Sequence, residues 1–206
     1  MYARTTTIWG RAASIDDGIA QVRESMMPEM RRMHGFVGLS LLVDRTSGRC
    51  IATSAWQSEE ALRASAPLIR EVRDRAAQIL GGTMEVADWE IAVMHRTRES
   101  GDGAFARVTW CKVDRSRIDA GIDIFREQAL PALEELDGHC GTSLLVNRDI
   151  SRAVVSSAFD SAETLARHRA QMDRLRDATA GEAGAEITDE GVFELALAHL
   201  RVPELV

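Results

Sequence analysis

Apolar residues recur at steps of three and four along the segment that follows a short threonine-rich stretch near the start of the chain. Ile15, Ile19, Val22 and Met26 fall on one face of a helix, which predicts an amphipathic helix that buries this face. The stretch before it, residues 5–9, is rich in β-branched side chains and is therefore predicted to form a strand.

The hydrophobic pattern then changes from a helical period near 3.6 residues to short apolar runs that are typical of strands. Residues 36–43 and 49–56 are separated by a polar turn and predict a β-hairpin. Ser58 and, in the second half of the chain, Ser161 are placed to cap a second helix. The helix after Ser58 ends at Gly81, and a strand follows over 84–94. The predicted order of elements is βαββαβ. Ser14, three residues before an aspartate, is predicted to cap the first helix.

The second half of the chain repeats the first. The run Ser-Leu-Leu-Val at 40–43 returns at 143–146, an offset of 143 minus 40, or 103 positions. Because many other positions agree at the same offset, the sequence indicates a duplicated unit. The predicted division is a first repeat at 1–96, a linker at 97–104, a second repeat at 105–200 and a tail at 201–206.

Three prolines fall inside the predicted helices. Pro28 and Pro131 are expected to kink the first helix of each repeat and to free the carbonyls of Glu24 and Glu127. Pro67 is expected to interrupt the second helix of the first repeat, whereas that of the second repeat has no proline and is predicted to be continuous.

A βαββαβ unit covers one face of its sheet with its two helices, and the strands here carry apolar residues on both faces. The uncovered faces need a partner, and packing the two repeats sheet to sheet provides one. The predicted fold class is therefore α+β, with two tandem ferredoxin-like βαββαβ repeats packed sheet to sheet as an intramolecular α/β barrel. Such a pseudo-dimer is expected to be a monomer or a weak homodimer.

Composition excludes several classes of function. The chain has 25 basic and 32 acidic residues, a net charge of −7, so the basic surplus of a nucleic-acid or anionic-membrane binder is lacking. No apolar run reaches the roughly 20 residues of a membrane span, and no signal peptide is evident. The three cysteines form no CxxC motif, so neither a disulfide framework nor a metal site is expected, and a cytoplasmic location is the expectation.

Two corresponding segments resemble a known family. They are residues 34–62, HGFVGLSLLVDRTSGRCIATSAWQSEEAL, and residues 138–165, GHCGTSLLVNRDISRAVVSSAFDSAETL. Both contain Gly-x-x-Gly before the strand, Asp-Arg or Asn-Arg in the turn, and Trp or Phe followed by Ser-x-Glu at the next helix. These motifs are similar to those of the antibiotic biosynthesis monooxygenase family within the dimeric α/β-barrel superfamily. They are structural motifs, so they specify a fold more strongly than a reaction.

The resemblance implies two alternative functions. One is a cofactor-independent monooxygenase, an oxidoreductase acting on a small aromatic or quinone-like compound. The other is a non-catalytic barrel that binds a small ligand or serves in a stress response. Either way the expected partner is a small apolar or aromatic molecule, held in a pocket between a sheet and its helices.

The resemblance also indicates where pocket residues would lie. Haem-degrading members carry an asparagine on the first strand, a tryptophan early in the second helix and a histidine further along. None of the three is present at the corresponding positions, so haem is not expected, nor is any other cofactor. These positions, taken as ligand-pocket candidates, hold Thr7 and Trp110, Ser65 and His168, and Asp74 and Asp177.

Alternatives remain open for each candidate. His168 could act as a catalytic base on an acidic phenol or ligate a metal, or it could be a buried histidine bonded to the backbone. Asp74 and Asp177 each follow an arginine, which favours surface ion pairs over catalytic acids. Trp110 could stack on a flat ligand or fill its own pocket.

The two pockets are predicted to be unequal. The second repeat has Trp110 and His168 where the first has Thr7 and Ser65, so binding is expected in the second repeat. If Trp110 instead fills its own pocket, only the first repeat retains room.

Overall fold

Each repeat folds as a strand, a helical segment, a β-hairpin, a second helical segment and a long strand. The structure is a computed structural model that describes residues 1–200 and 205, so the rest of the predicted tail at 201–206 lies outside the described residues. The elements of the first repeat are β1 (Tyr2–Trp9), α1 (Ile15–Gln21), α2 (Met27–Met30), β2 (Phe36–Val43), β3 (Arg49–Trp56), α3 (Glu59–Leu68), α4 (Arg70–Leu80) and β4 (Thr83–Arg96). Those of the second are β5 (Phe105–Val113), α5 (Ile118–Ile124), α6 (Leu130–Glu134), β6 (His139–Asn147), β7 (Arg152–Phe159), α7 (Ala162–Ala183) and β8 (Ala185–Leu200).

The strands follow the hydrogen-bonded order β1-β3-β2-β8-β5-β7-β6-β4, which closes as a barrel. The predicted α+β class and the βαββαβ order of each repeat are thereby confirmed. The predicted hairpin is also present, with Val43 opposite Cys50 in β2 and β3.

The chain packs as two compact units. The first contains Met1–Trp89 and the part of β8 from Glu194 onward, which pairs antiparallel with β2. The second contains Glu90–Phe193, so the last part of β4 pairs with β6 inside this unit. The boundaries predicted at 1–96 and 105–200 mark the two copies of the duplicated sequence. The packing units differ from these copies, because the last strand of each repeat is divided between the two units.

The first helical segment of each repeat widens just before its proline. A π-helical turn at Val22–Met26 leads into α2, whose first turn contains Pro28. The second repeat does the same, with a π-helical turn at Phe125–Ala129 ahead of Pro131. Proline lacks an N–H and crowds the carbonyl four residues earlier, and a turn with bonds five residues apart makes room for it. The predicted irregularity is therefore a π-helical turn.

The second helical segments begin as predicted. The Ser58 hydroxyl accepts a hydrogen bond from the Ala61 N–H at 3.1 Å, and Ser161 accepts one from Thr164 at the same distance. Ser14 also precedes its helix, but its side chain makes no capping hydrogen bond within the described chain, so that prediction was wrong.

Proline also accounts for the difference between the two second helices. With Pro67 in its last turn, α3 ends at Leu68 and α4 starts at Arg70. Helix α7 has no proline and runs unbroken for 22 residues. Both outcomes agree with the prediction from sequence.

His139 is a buried polar residue at the start of β6. It is 1% exposed, its Nδ1 lies 2.9 Å from the Thr97 hydroxyl, and its Nε2 lies 2.7 Å from the Thr142 hydroxyl. Burial lowers the pKa of His139 to about 4, and the neighbouring His95 and Arg98 act in the same direction. The ring is therefore neutral in the folded protein and ties Thr97, the first residue of the predicted linker, to β6.

Acidification below neutral pH is expected to destabilise the protein through this histidine. The unfolded chain takes up a proton near pH 6.5, whereas folded His139 does so only near pH 4. The stabilisation is complete above pH 6.5 and is lost as the pH falls towards 4, at a rate of at most about 1.4 kcal/mol per pH unit. Urea unfolding measured between pH 7.5 and pH 4.5 tests this dependence.

The variant His139→Phe copies Phe36 of the first repeat and is expected to flatten this pH dependence, although the loss of two hydrogen bonds lowers stability at every pH. His34→Gln, at an exposed position, serves as the control and should keep the parental slope. An unchanged slope in His139→Phe would show that another group is responsible.

Candidate functional site

A cavity of about 120 Å³ lies in the second unit, between the sheet and the helices that cover it. Its wall is mostly apolar: β5 supplies Cys111 and Val113, and the first helical segment supplies Ile118, Ile122 and Phe125. An apolar cavity of about 150 Å³ is known to take a benzene molecule. The volume is therefore suited to a molecule with one aromatic ring.

Polar groups line the cavity at a few positions only. Arg107 and Thr109 come from β5, Ser157 from β7, and Arg176 and Thr179 from α7. The lining residues of β5 are alternate ones because successive side chains of a strand point to opposite faces.

Arg107, which lines the cavity, is the centre of an ion-pair network. Its side chain is 6% exposed, and its Nη2 donates to a carboxylate oxygen of Asp173 and, at 2.5 Å, to one of Glu190. The Nη1 of Arg176 donates to the same Glu190 oxygen at 2.5 Å. Of the described residues, the two arginines line the cavity and these two carboxylates do not. The cavity thus faces the cationic side of the network.

One side-chain nitrogen of Arg107 makes no hydrogen bond to the described residues. Its Nη1 is buried and has no hydrogen-bond partner among the described residues. A buried donor without a partner costs about 1–3 kcal/mol, so such groups are usually bonded. The unmet N–H belongs to a side chain that lines the cavity.

Two groups of the network, Asp173 and Arg176, have pKa values shifted in the direction that favours their charged forms. The hydrogen bond from Arg107 lowers the pKa of the Asp173 carboxyl. Burial alone would lower the pKa of Arg176, but hydrogen bonds to Asp177 and Glu190 outweigh it, and the net pKa is raised. Burial raises the pKa of the Cys111 thiol to about 11, so this cavity residue stays protonated and is a poor nucleophile or base at pH 7.

The corresponding cavity of the first unit has a volume of only about 20 Å³. Met26 and Leu80 line it, where the second repeat has Ala129 and Ala183 at the same offset of 103. The longer side chains occupy the space that the two alanines leave open. The two cavities are thus unequal in volume, and this pair of substitutions contributes to the difference, whereas Trp110 and His168 line neither cavity. That binding occurs in the second repeat stays a prediction.

Two equivalent glycines, Gly18 and Gly121, show how the packing of the two units differs. A Cβ placed on Gly18 would lie 2.7 Å from the Leu80 Cδ2, so the leucine packs directly onto the glycine. A Cβ placed on Gly121 would lie 3.6 Å from the Ala183 Cβ, which is ordinary contact. The helix surface at Gly121 therefore borders the cavity instead of a filled core.

Thr7 and Trp110 lie on the strand face opposite to the cavity residues. Thr6 lines the small cavity and Thr109 the large one, so a residue one position further along points away from each. The Trp110 ring packs edge-on against Phe193, with centroids 6.2 Å apart. Trp110 is thus neither stacked over the cavity nor filling it.

Ser65 and His168 have different surroundings. Ser65 is buried, donates to the Leu62 carbonyl at 2.7 Å and accepts from the Arg4 Nη1 at 3.2 Å. His168 is half-buried with its ring 6.2 Å from that of Phe159, and its Nε2 is buried without a partner among the described residues. His168 is not among the residues that line the cavity, so a catalytic role for it stays a prediction.

Asp74 and Asp177 are exposed at the surface of α4 and α7. Asp177 accepts from Arg176 at 2.7 Å, which is the ion pair that its sequence context favours. Neither aspartate is among the residues that line the two cavities. Within the described residues, no group of three or more His, Cys, Asp or Glu side chains is arranged to hold a metal ion.

Arg107 and Arg176, the two charged residues of the described cavity lining, were not predicted from the sequence. A weak signal existed, because Arg107 falls on the side of β5 that also carries Thr109 and Cys111, and Arg4 repeats it in the first half. The partners of Arg107 come from distant parts of the chain, so nothing local identified the network.

No helix in the described part of the chain combines the length and apolar character that crossing a membrane requires.

Solved structures share this fold over nearly the whole chain. A proposed monooxygenase from Lactobacillus acidophilus NCFM has a TM-score of 0.69 at 10% identity, covering 97% of this chain and 96% of that one. An anthrone oxidase-like protein has a TM-score of 0.65 at 14% identity, covering 99% and 93%. A ferredoxin-fold protein of Listeria monocytogenes related to antibiotic biosynthesis monooxygenases has a TM-score of 0.54 at 10% identity, covering 95% and 94%. The predicted resemblance to this group is confirmed at the level of the fold.

Two proteins of Mycobacterium tuberculosis strain H37Rv are similar in sequence, whereas no family model matches the chain. The uncharacterized protein Rv2557 is 52% identical over 206 residues, which cover 100% of this chain and 92% of the relative. The uncharacterized protein Rv2558 is 49% identical over 207 residues, which cover 100% and 88%. Identity of this extent along the full alignment establishes common descent, and the chain belongs to the family of Rv2557 and Rv2558.

Proposed function

We propose that the second unit binds a small aromatic or quinone-like compound in its cavity and oxidises it with molecular oxygen, as a cofactor-independent monooxygenase. The observation that carries this proposal is the apolar cavity of about 120 Å³, walled by the sheet and its helices and polar at few positions. Its volume favours a single ring over the three fused rings of an anthrone.

The chemistry requires an electron-rich substrate. Once a phenol has lost its proton, a ring carbon can donate an electron pair to oxygen, forming a carbon–oxygen bond and, after proton uptake, a hydroperoxide. Loss of water from that carbon leaves a carbonyl, so one oxygen atom is incorporated and the other leaves as water. The substrate supplies all four electrons, one pair when the carbon–oxygen bond forms and one pair when the oxygen–oxygen bond breaks. The apolar wall would exclude water from the reactive anion.

A second candidate is binding of the same class of molecule without turnover. It is favoured by the absence of an evident base, because among the described residues that line the cavity none is His, Asp or Glu. The Cys111 thiol, with its pKa of about 11, does not supply one. The two candidates share the ligand and differ in whether oxygen is consumed.

Oxygen uptake with hydroquinone and substituted single-ring phenols separates these candidates. With chelator present and neither metal nor flavin added, we expect uptake above that of heat-denatured protein, and a quinone product. Ligand at ten times its Kd should raise the melting temperature by roughly 3–6 °C. A rise without oxygen uptake supports the binding candidate, and no rise with any single-ring compound contradicts both.

Filling the cavity tests whether the ligand binds there. Ala129→Met together with Ala183→Leu copies the first repeat, where Met26 and Leu80 occupy the equivalent space. We expect this double variant to fold and to lose the ligand-induced rise in melting temperature, because the ring no longer has room.

The matched control is Leu80→Ala in the first unit. A large-to-small change at this buried position costs about 2–5 kcal/mol and should lower the melting temperature. The ligand response of the second unit should nevertheless persist. A full ligand response in the filled double variant, with its fold verified by circular dichroism, would place binding elsewhere.

A further inference from the structure

We infer that the second-unit cavity is a receptor for one anionic group carried on an aromatic ring, a carboxylate or an ionised phenol, which Arg107 binds through its Nη1. The inference rests on the proposed function, because it concerns the same cavity, and it narrows the class of molecule that the cavity selects.

Arg107 has one buried donor nitrogen without a partner among the described residues. Arg107 is 94% buried, since its side chain is 6% exposed, and its Nη2 is already bonded to Asp173 and Glu190. Its Nη1 has no protein partner in the described chain, although the side chain lines the cavity. A buried donor of this kind is satisfied when a ligand brings an acceptor.

The equivalent arginine of the first unit has a partner for each of its three nitrogens. Arg4 occupies the equivalent position, and its Nε and Nη2 donate to Asp88 at 2.6 and 2.8 Å. Its Nη1 donates to Ser65 at 3.2 Å, so all three nitrogens are bonded. An unmet Nη1 is therefore not inherent to this strand position. At this position it occurs in the unit with the larger cavity, whereas in the first unit Arg73 has buried guanidinium nitrogens without a partner among the described residues, beside a cavity of only about 20 Å³.

The charged side chains that line the cavity in the described chain are both positive. Arg107 and Arg176 line the cavity, whereas Asp173 and Glu190 are absent from the lining among the described residues. An anion in the cavity would thus contact the arginine side chains and not the carboxylates that pair with them. Hydrogen bonds between charged partners are roughly twice as strong as neutral ones, which favours an anion over a neutral acceptor.

The remaining lining fits this class of ligand. Thr109 and Ser157 add hydroxyl groups to the lining, and apolar side chains form the rest of the wall described above. A single ring with one acidic substituent matches both the volume and the distribution of polar groups. A molecule with two charged ends would bury one of them against apolar side chains.

Benzoate and benzamide test the inference on the unmodified protein, because they have nearly the same shape and differ in charge. We expect calorimetric titration at pH 7 to give a Kd at least about tenfold lower for benzoate. Equal affinities, or tighter binding of benzamide, would overturn the inference and leave the proposed function standing. If neither these nor the single-ring phenols bind, both fail.

A nitrophenol distinguishes the phenolate from the carboxylate form of the ligand. Its absorbance reports ionisation directly, and binding to an anion receptor should lower its apparent pKa. A lowered pKa with tight benzoate binding means that either acidic group is accepted. An unchanged pKa with tight benzoate binding limits the receptor to carboxylates.

Two variants locate the effect. Arg107→Lys keeps a positive charge beside Asp173 and Glu190 but lacks the planar fork, so it should lose most of the preference for benzoate. Arg4→Lys is the matched change in the first unit and should retain the preference. Benzoate binding that survives in the double variant Ala129→Met and Ala183→Leu would lie outside the cavity and would overturn the inference.

Discussion

A guanidinium on a sheet face that helices cover has to be paired, and the arrangement of the second unit follows from how Arg107 meets this requirement. Its partners are Asp173 on α7 and Glu190 on β8, so one buried cation links a central strand to the helix above it and to the next strand. Arg176 on α7 closes the network through the same Glu190 carboxylate. Removing one partner of such a network leaves a buried charge unpaired, which is far more costly than removing an exposed ion pair.

The two repeats solve the same packing problem with different side chains. In the first unit Asp88 and Ser65 satisfy every nitrogen of Arg4, and Leu80 packs onto the helix glycine Gly18. In the second unit Ala183 stands in the place of that leucine. The first unit thereby keeps a cavity of only about 20 Å³ beside Arg73, while the second keeps about 120 Å³ beside Arg107 and Arg176. Duplication allows this divergence, because one copy can retain a packed core while the other gives up packing for a cavity.

The shared fold limits the location of a site more than it limits its chemistry. Solved structures with this fold include monooxygenase-like and anthrone oxidase-like proteins, yet their identity to this chain is 10–14%. Side chains, and not the fold, decide a reaction. In this chain the side chains at the cavity are two arginines, three hydroxyl groups, a protonated thiol and apolar groups. These side chains are the basis of the proposal that the cavity binds an aromatic anion.

Local signals in the sequence determined the secondary structure, the duplication and several boundaries. Ser58 and Ser161 begin helices because a hydroxyl can cap free N–H groups, and Pro67 breaks one helix because it lacks an N–H. Local signals did not determine which side chains of each strand point towards the helices. A shift of one residue reverses every side chain of a strand, so Thr109 lines the cavity and Trp110 does not. The Arg107 network joins residues 66 and 83 positions away in the chain, and the cavity depends on which side chains meet across that distance. Those contacts are formed only by tertiary packing, because no local rule relates residues so far apart.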